Sequence, residues 1–226
     1  MLDTYKFIEK YKRISIIGME KNVGKTTLLN KLIADIGKTK KLGLTSIGRD
    51  GEDIDVVTNT DKPRIYVRKG SIIATGRNCL AKCDITKEIL YVTDFTTPMG
   101  SIVLIRALSD GYVDIAGPSY NKQVKIIVEL MEKFGSEISI VDGALGRKST
   151  AISDVSEATI LSTGAALSLD MLKVVEETKK TVYFLRLKEI DKNEFVKFLN
   201  NKKSPSILDL NYFIKNMLLK INGANF

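Results

Sequence analysis

Short apolar runs alternate with amphipathic stretches along much of this chain. Four apolar runs have the length and composition of buried strands, at residues 14–17, 42–47, 138–142 and 158–162. Between them, apolar residues recur three and four positions apart, as on one face of a helix: Leu28, Leu29, Leu32 and Ile33, then Val124, Ile127, Val128 and Met131. Strands that alternate with helices favour a parallel sheet covered on both faces. The pattern therefore predicts an α/β fold that binds its ligand at the carboxyl ends of the strands.

The middle of the chain has a different pattern, with strands following one another closely. Residues 65–67, 72–73, 89–92, 102–105 and 111–116 all have the composition of extended segments, with glycine and proline among the residues between them. Strands joined without intervening helices pair antiparallel more readily than parallel. We therefore expect an antiparallel extension of the mostly parallel sheet.

The last third of the sequence predicts a helix, a strand and two terminal helices. A helix is expected to follow Ala166 and to end near Lys179, and residues 181–187 are predicted to form a last strand. Residues 193–199 and 208–219 are predicted to be helices on either side of a linker at residues 202–206. No shift in composition marks a boundary, so the prediction is one domain over residues 1–226.

Composition excludes several classes of chemistry. The 226 residues contain no histidine, which excludes Ser-His-Asp and Cys-His catalysis as well as histidine metal sites. The two cysteines, Cys79 and Cys83, make an incomplete zinc or iron–sulfur site by themselves, so buried free thiols are expected.

The charge is basic without being concentrated. Lysine and arginine number 35 against 27 aspartates and glutamates, giving a net charge of +8. The cations are spread along the chain and many stand beside an acid, which favours a solvated basic surface over a nucleic-acid interface. No apolar run reaches the roughly 18–20 residues that span a bilayer, and the start lacks a secretory h-region. We therefore expect a cytoplasmic protein with no membrane contact.

The segment from Ile14 to Asn30 carries the strongest chemical pattern. An apolar run leads into a glycine loop that ends Gly24-Lys25-Thr26, and an amphipathic helix follows. Strand, glycine turn and helix N-terminus in this order form the phosphate-binding arrangement of a P-loop, although an ordinary strand-to-helix turn is the alternative. Lys25 would reach the β- and γ-phosphates, and the Thr26 hydroxyl would hold Mg²⁺. The predicted nucleotide contacts are Glu20, Lys21, Asn22, Val23, Gly24, Lys25, Thr26 and Thr27.

Two carboxylates are candidates for the metal side of this site. Asp142 ends an apolar strand and is followed by glycine, which is the Walker B pattern, so it would hold Mg²⁺ or orient its water. Asp50 lies in an acidic loop after the second predicted strand and is the second candidate, with Glu52 beside it, although a polar turn explains the loop equally well. Lys25, Asp142 and Asp50 are thus the predicted catalytic residues, and Thr26, Asp50 and Asp142 the predicted metal ligands.

The sequence gives weaker indications of which nucleotide base is bound and of which residues stabilise the transition state. The guanine-specifying Asn-Lys-x-Asp pattern is absent, because Asn30-Lys31, Asn121-Lys122 and Asn201-Lys202 each lack the aspartate, so ATP is favoured over GTP. Arg147 or Lys148, in the basic loop after Asp142, would stabilise phosphoryl charge unless that loop is merely surface.

The spacing of the loop resembles that of dethiobiotin synthetase. Five residues separate Gly18 from Gly24, one more than in the common pattern, and Gly18, Glu20 and Val23 to Thr26 stand at matching places. That family belongs to the SIMIBI class of P-loop proteins, which also contains dimeric ATPases with a lysine early in the loop. Glu20 occupies the place of that lysine and Lys21 is one position away, so the lysine's role is not transferred. The resemblance implies a homodimer as one arrangement, and an enzyme transferring phosphoryl to a carboxylate or carbamate as one function.

A narrower resemblance rests on five further motifs. They are LTSIGRDGE at 44–52, TTPMG at 96–100, AGPS at 116–119, VDGALGRKS at 141–149 and ATILSTGAAL at 158–167. Together they resemble a bacterial family associated with adenosylcobalamin-dependent lysine 5,6-aminomutase. The resemblance implies ATP-driven reactivation of that enzyme, with the aminomutase or a second ATPase subunit as protein partner. The expected function is therefore an ATP-dependent switch, with the ligase or kinase as the alternative.

Overall fold

The computed structural model describes residues 8–48, 64–143 and 155–185. The chain divides after Val174 into two units, and only residues 175–185 of the second are described. The single-domain prediction stays a prediction.

The described residues form nine strands and three α-helices. The strands are β1 (Arg13–Gly18), β2 (Leu42–Ser46), β3 (Ile65–Val67), β4 (Ile72–Gly76), β5 (Lys87–Thr97), β6 (Gly100–Ala107), β7 (Gly111–Val113), β8 (Ile138–Asp142) and β9 (Ala158–Ser162). The helices are α1 (Lys25–Ile36), α2 (Asn121–Lys133) and α3 (Met171–Leu185), with a 3₁₀ helix at Arg77–Lys82.

Seven strands make one mixed sheet in the order β5-β6-β4-β2-β8-β1-β9. The five strands from β4 to β9 in that order are parallel, while β6 is antiparallel to β4 and β5 is antiparallel to β6. The remaining strands, β3 and β7, pair antiparallel as a separate two-stranded ribbon. The predicted α/β fold and its antiparallel extension are both confirmed at this level.

The sheet buries apolar side chains on both faces because neighbouring residues of each strand point in opposite directions. Ile140 packs with the buried face of α1, and Val141 packs with the buried face of α2. We call these two clusters the α1-side core and the α2-side core. The helix residues that complete them are Leu29, Leu32, Ile33 and Ile36 of α1, and Val124, Ile127, Val128 and Met131 of α2. Each fully buried leucine or isoleucine contributes about 1.5–3 kcal/mol relative to exposure, so these faces fix where the helices lie.

Two predictions about element type and length are wrong. The strand predicted at residues 181–187 is wrong over residues 181–185, which belong to α3. Residues 186–187 lie outside the described residues. Lys180 bridges Glu176 and Glu177 one turn back, each at 3.0 Å, and these pairs favour helix at the point where a strand was expected. The strand predicted at 111–116 ends at Val113, and the residues beyond it are used as a connecting segment described below. The helices predicted at 193–199 and 208–219 lie outside the described residues.

Candidate functional site

Residues 18–24, which we call the glycine loop, connect the end of β1 to the start of α1. The Met19 amide donates a hydrogen bond of 2.9 Å to the Ser162 carbonyl, which fastens the loop to the end of β9. Asn22 and Gly24 have left-handed backbone angles, with φ of 59° and 83°. These two residues turn the chain from the strand into the helix within a few positions. Gly24 adopts the left-handed conformation without strain because it has no Cβ, whereas the conformation is uncommon for a residue such as Asn22.

The side chain of Lys25 folds back across the glycine loop. Its Nζ donates a hydrogen bond of 3.0 Å to the Glu20 carbonyl. A Cβ built on Gly18 would lie 2.5 Å from that Nζ and 2.7 Å from Cγ2 of Val23. A side chain at position 18 would therefore meet the Lys25 side chain, whose ammonium group holds a positive charge over the loop.

The N-terminus of α1 is available to an anion. Gly24 is its N-cap, and within the described residues no side chain caps the helix. The first backbone N–H groups of a helix have no partner inside the helix and carry a partial positive charge. Thr26 is half-buried and Thr27 is exposed in this first turn. The loop, the ammonium of Lys25 and the helix terminus together provide donors that suit phosphate oxygens.

The Glu20 side chain already uses one of the hydrogen-bond donors of the glycine loop. Its carboxylate accepts a hydrogen bond of 2.9 Å from the Lys21 amide, so one loop N–H already has an acidic partner within the same loop. Glu20, Lys21 and Asn22 are all exposed. A phosphate that used the Lys21 amide would have to displace the Glu20 side chain.

Asp142 ends β8, the strand next to β1. It stands opposite Ile16 of β1 and Ser46 of β2 in the sheet register, and it is half-buried. Its carbonyl accepts a 2.8 Å hydrogen bond from the Ile47 amide, while Gly143 N–H donates to the Ile16 carbonyl at 2.8 Å. The fold therefore brings Asp142 to the same edge of the sheet as the glycine loop, as the strand pattern predicted.

The structure does not test the other predicted residues of the metal side. Asp50 and Glu52, together with Arg147 and Lys148, lie outside the described residues. The strands that precede them, β2 and β8, are neighbours and end at the same edge.

The five parallel strands end at one edge of the sheet, which we call the carboxyl edge; they are β1, β2, β4, β8 and β9. Segment 114–118 crosses it through backbone and hydroxyl hydrogen bonds. Gly117 N–H donates to Ser46 Oγ at 2.9 Å, and Gly76 N–H donates to the Ala116 carbonyl at 2.9 Å. The Thr75 hydroxyl accepts from the Ala116 amide and lies 3.0 Å from the Asp114 carbonyl. These hydroxyls were not singled out from the sequence, because serine and threonine at strand ends are too common to indicate a role.

The turn between β5 and β6 reaches the same edge. Because β6 runs antiparallel to β4, its beginning lies beside the end of β4, where Gly76 stands opposite Ile102. The Asn78 amide donates to the Met99 carbonyl at 3.0 Å, and a Cβ on Gly76 would lie 2.6 Å from Met99. The described parts of all five motifs that carried the narrower resemblance thus end at, or turn over, the edge that holds the glycine loop.

The cysteines form no site of their own. Cys79 and Cys83 are free and buried, as predicted, and Cys83 Sγ donates to the Cys79 carbonyl at 3.3 Å. Burial raises the pKa of the Cys83 thiol, which keeps it protonated. Among residues 8–48, 64–143 and 155–185, no group of three or more cysteine, aspartate or glutamate side chains is placed to hold a metal ion.

Comparison of the chain with protein-family models, with curated proteins and with solved structures found no match. In the part of the chain that the structure describes, no helix is both long and apolar enough to cross a bilayer.

Proposed function

We propose that this chain is a P-loop protein that binds Mg·ATP at residues 20–27 and hydrolyses it. The observation that carries the proposal is the position of Lys25, whose ammonium lies over Gly18 beside a helix N-terminus that no described side chain caps. A bound triphosphate would replace the Glu20 carbonyl as the partner of Lys25 and exchange a neutral acceptor for an anionic one. The attraction between the positive ammonium and the negative phosphate oxygens favours this exchange.

The remaining groups have separate roles in the proposal. The Thr26 hydroxyl would contribute a ligand to Mg²⁺, and Asp142 would bind the ion or orient one of its waters, as hard oxygen donors suit this metal. Asp50 is proposed as the second carboxylate on the metal side. Mg²⁺ would supply neutralisation of phosphate charge, and Lys25 would add to it as charge develops on the leaving group.

We further propose that the hydrolysis serves as a switch towards a protein partner, a cobalamin-dependent aminomutase or a second ATPase subunit. Support comes from the carboxyl edge, where direct hydrogen bonds join segment 114–118 to the ends of β2 and β4, and join the β5–β6 turn to Asn78, two residues after β4. β2 ends at Ser46, three residues before the segment that contains Asp50. A change in that segment on hydrolysis would therefore reach a broad surface through Ser46 and Gly117.

The binding part of the proposal is tested by titration calorimetry with Mg·ATP and Mg·GTP. Lys25→Ala should weaken Mg·ATP binding by about 10- to 100-fold, the usual effect of losing a hydrogen bond to a charged group. Lys31→Ala is the matched control, because Lys31 is 64% exposed further along the same helix and pairs with Asp35. Equal affinity in the wild type and Lys25→Ala would rule the proposed site out.

Phosphate release distinguishes the switch from the alternative enzyme. Slow release that a candidate aminomutase accelerates supports the switch. ADP formation that requires a small carboxylate or carbamate would instead support the ligase or kinase, and would leave the nucleotide site intact while rejecting the partner.

A further inference from the structure

Strand β5 is an exposed edge of the main sheet. It is the longest described strand, with 11 residues, and among the strands that the structure describes only β6 pairs with it. Three large apolar side chains on it are exposed: Ile89 at 60%, Tyr91 at 47% and Val92 at 55%. A long edge strand with exposed apolar residues is a template for pairing with another strand, and proteins normally shield such edges.

An irregularity in β5 gives its centre an unusual arrangement of faces. Ile89 stands opposite Ile105 and Val92 opposite Val103, and both of these β6 residues belong to the α1-side core. Tyr91 stands opposite Leu104, which belongs to the α2-side core, and Leu90 packs against the same core. The bulge between Ile89 and Tyr91 therefore places two successive residues, Leu90 and Tyr91, on the face of the α2-side core. The residues before and after them, Ile89 and Val92, both lie on the opposite face, so the order of faces is the same when the strand is read in either direction.

The mirror pattern extends to the charged residues. Lys87 stands opposite Ala107 of the α1-side core and therefore shares a face with Ile89. Phe95 packs against the α2-side core and Asp94 beside it is exposed, in a stretch where the pairing with β6 shifts register a second time, between Val92 and Thr96. One half of the strand carries a lysine where the other half carries an aspartate.

We propose that β5 pairs antiparallel with β5 of a second copy of this chain, about a two-fold axis between Leu90 and Tyr91. Residues directly opposite each other in an antiparallel pair lie on the same face of the sheet. A two-fold axis between two successive residues sets those two residues opposite each other, and in a regular strand they lie on different faces. The bulge places Leu90 and Tyr91 on one face and so permits this axis. In this register Ile89 meets Val92 and Leu90 meets Tyr91, each of them twice, and Lys87 and Asp94 stand at equal distances along the strand from the axis.

The occupant is a second copy because the edge is complementary to itself. Reversing the strand brings apolar residues onto apolar residues, and the lysine onto the aspartate. Opposite charges and aromatic–aliphatic pairs across strands are stabilising, whereas like charges directly opposite are destabilising. The neighbouring registers centred on Leu90 or Tyr91 would instead place Leu90 or Tyr91 opposite itself, and the second of these would set Glu88 against Asp94.

Sedimentation velocity of the full chain over a range of concentrations tests the interface. The wild type should dimerise, and Ile89→Lys should raise the dimer dissociation constant by at least about tenfold, because two lysines enter the apolar centre. Ile126→Lys is the matched control, since Ile126 is 44% exposed on α2, and it should leave the constant unchanged. A wild type that stays monomeric at every concentration, or equal effects of the two variants, would overturn the proposal.

The register is tested by reversing charges. Lys87→Asp alone should raise the dissociation constant about tenfold, because it places like charges at matching distances from the axis on the two strands, and adding Asp94→Lys should restore most of the loss. Lys87 Nζ also donates to the Cys83 carbonyl, so a purely structural effect of Lys87→Asp would remain in the double variant. A double variant as weak as the single one would contradict this register.

Cross-linking provides a readout that does not depend on charge. Ile89→Cys and Val92→Cys proteins, each purified alone, should form few intermolecular disulfides, because each position faces the other one across the axis. A mixture of the two should form them readily, with Cys79 and Cys83 buried and therefore silent. Cross-linking of either protein alone as efficient as that of the mixture would overturn the pairing.

Discussion

Gly117 has very little room for a side chain. A Cβ built there would lie 1.8 Å from the Ser46 carbonyl oxygen and 2.7 Å from Thr45 Oγ1. Both neighbours belong to β2, which is paired on both sides, so neither can move away cheaply. The close approach is what allows Gly117 N–H to reach the Ser46 hydroxyl.

We therefore expect Gly117→Ala to lower the free energy of unfolding by about 1–3 kcal/mol, as overpacking in a tight site does. Urea denaturation followed by circular dichroism measures the change. Gly143→Ala is the matched control at the same edge, because its nearest neighbours are at the ordinary contact distance of 3.6 Å. An equal loss in both variants would contradict the argument from space.

The residues that hold the candidate site differ in how far sequence could identify them. Lys25 and Asp142 follow apolar runs whose ends are legible in the sequence, so their arrival at one edge was predictable. The contact between Gly18 and the Lys25 side chain was not, because it depends on the path of a loop with two left-handed residues. The anchoring of Met19 by Ser162 uses backbone atoms alone, and no side chain marks it in the sequence.

At the scale of elements, Asn30 joins α1 to β3. Its Nδ2 donates to the Arg64 carbonyl at 3.1 Å, and its Oδ1 accepts from the Tyr66 amide at 3.1 Å. One amide side chain therefore provides the two bonds that a neighbouring strand would have made to β3 on that side.

Asn30→Ala should lower the free energy of unfolding by about 0.5–1.5 kcal/mol, because it removes the partner of the half-buried Tyr66 N–H and of the Arg64 carbonyl. Urea denaturation compares it with Lys31→Ala, the next residue along, whose surface pair with Asp35 is worth only about 0.3–0.5 kcal/mol. If the two variants unfold at the same urea concentration, Asn30 does not hold β3 in place.

Glu137 connects the start of β8 to the start of β2. Its carboxylate accepts from the Lys41 amide at 2.9 Å and from Lys40 Nζ at 3.1 Å, and these bonds hold its pKa below the ordinary value of 4.5. A lowered pKa in the folded state means that the contribution is complete above the unfolded-state pKa and is lost as the pH falls through the folded-state pKa.

Glu137→Gln should therefore cost stability near neutral pH, and the cost should shrink as the pH falls through the folded-state pKa of the wild type, where its carboxyl becomes protonated as well. The pair is more than one third exposed, so solvent screening limits the loss to below about 1 kcal/mol. Urea midpoints of both proteins across this pH range measure the difference. Glu9→Gln, at an exposed position, is the control for the same change of side chain elsewhere on the surface.

Helices and strands were predictable where periodicity was strong, as in α1, α2, β1 and β8. The helical conformation of residues 181–185 in α3 could not be predicted. The β-branched and aromatic residues at 181–183 favour a strand, while the charged turn before them favours a helix. The local ion pairs of Lys180 accompany the helical outcome. Local preference alone could not decide between them.

At the scale of the whole molecule, alternation of strands and helices predicted the class of fold but not the order of the sheet. The order depends on pairings between distant residues, such as Leu42 with Ile138, which no local pattern encodes. The same holds for the division after Val174. The proposed dimer adds a consequence of its own, because antiparallel pairing points the two carboxyl edges, and with them the two candidate sites, in opposite directions.

The place of β8 between β1 and β2 also bears on how the protein is made. Both neighbours leave the ribosome long before β8 does, yet neither pairs with the other in the finished sheet. Until residues 138–142 emerge, the nascent chain has two apolar strands whose inner edges have no partner, and such edges invite association with other chains. The central strand is thus the one that arrives late, and assembly of the sheet must wait for it.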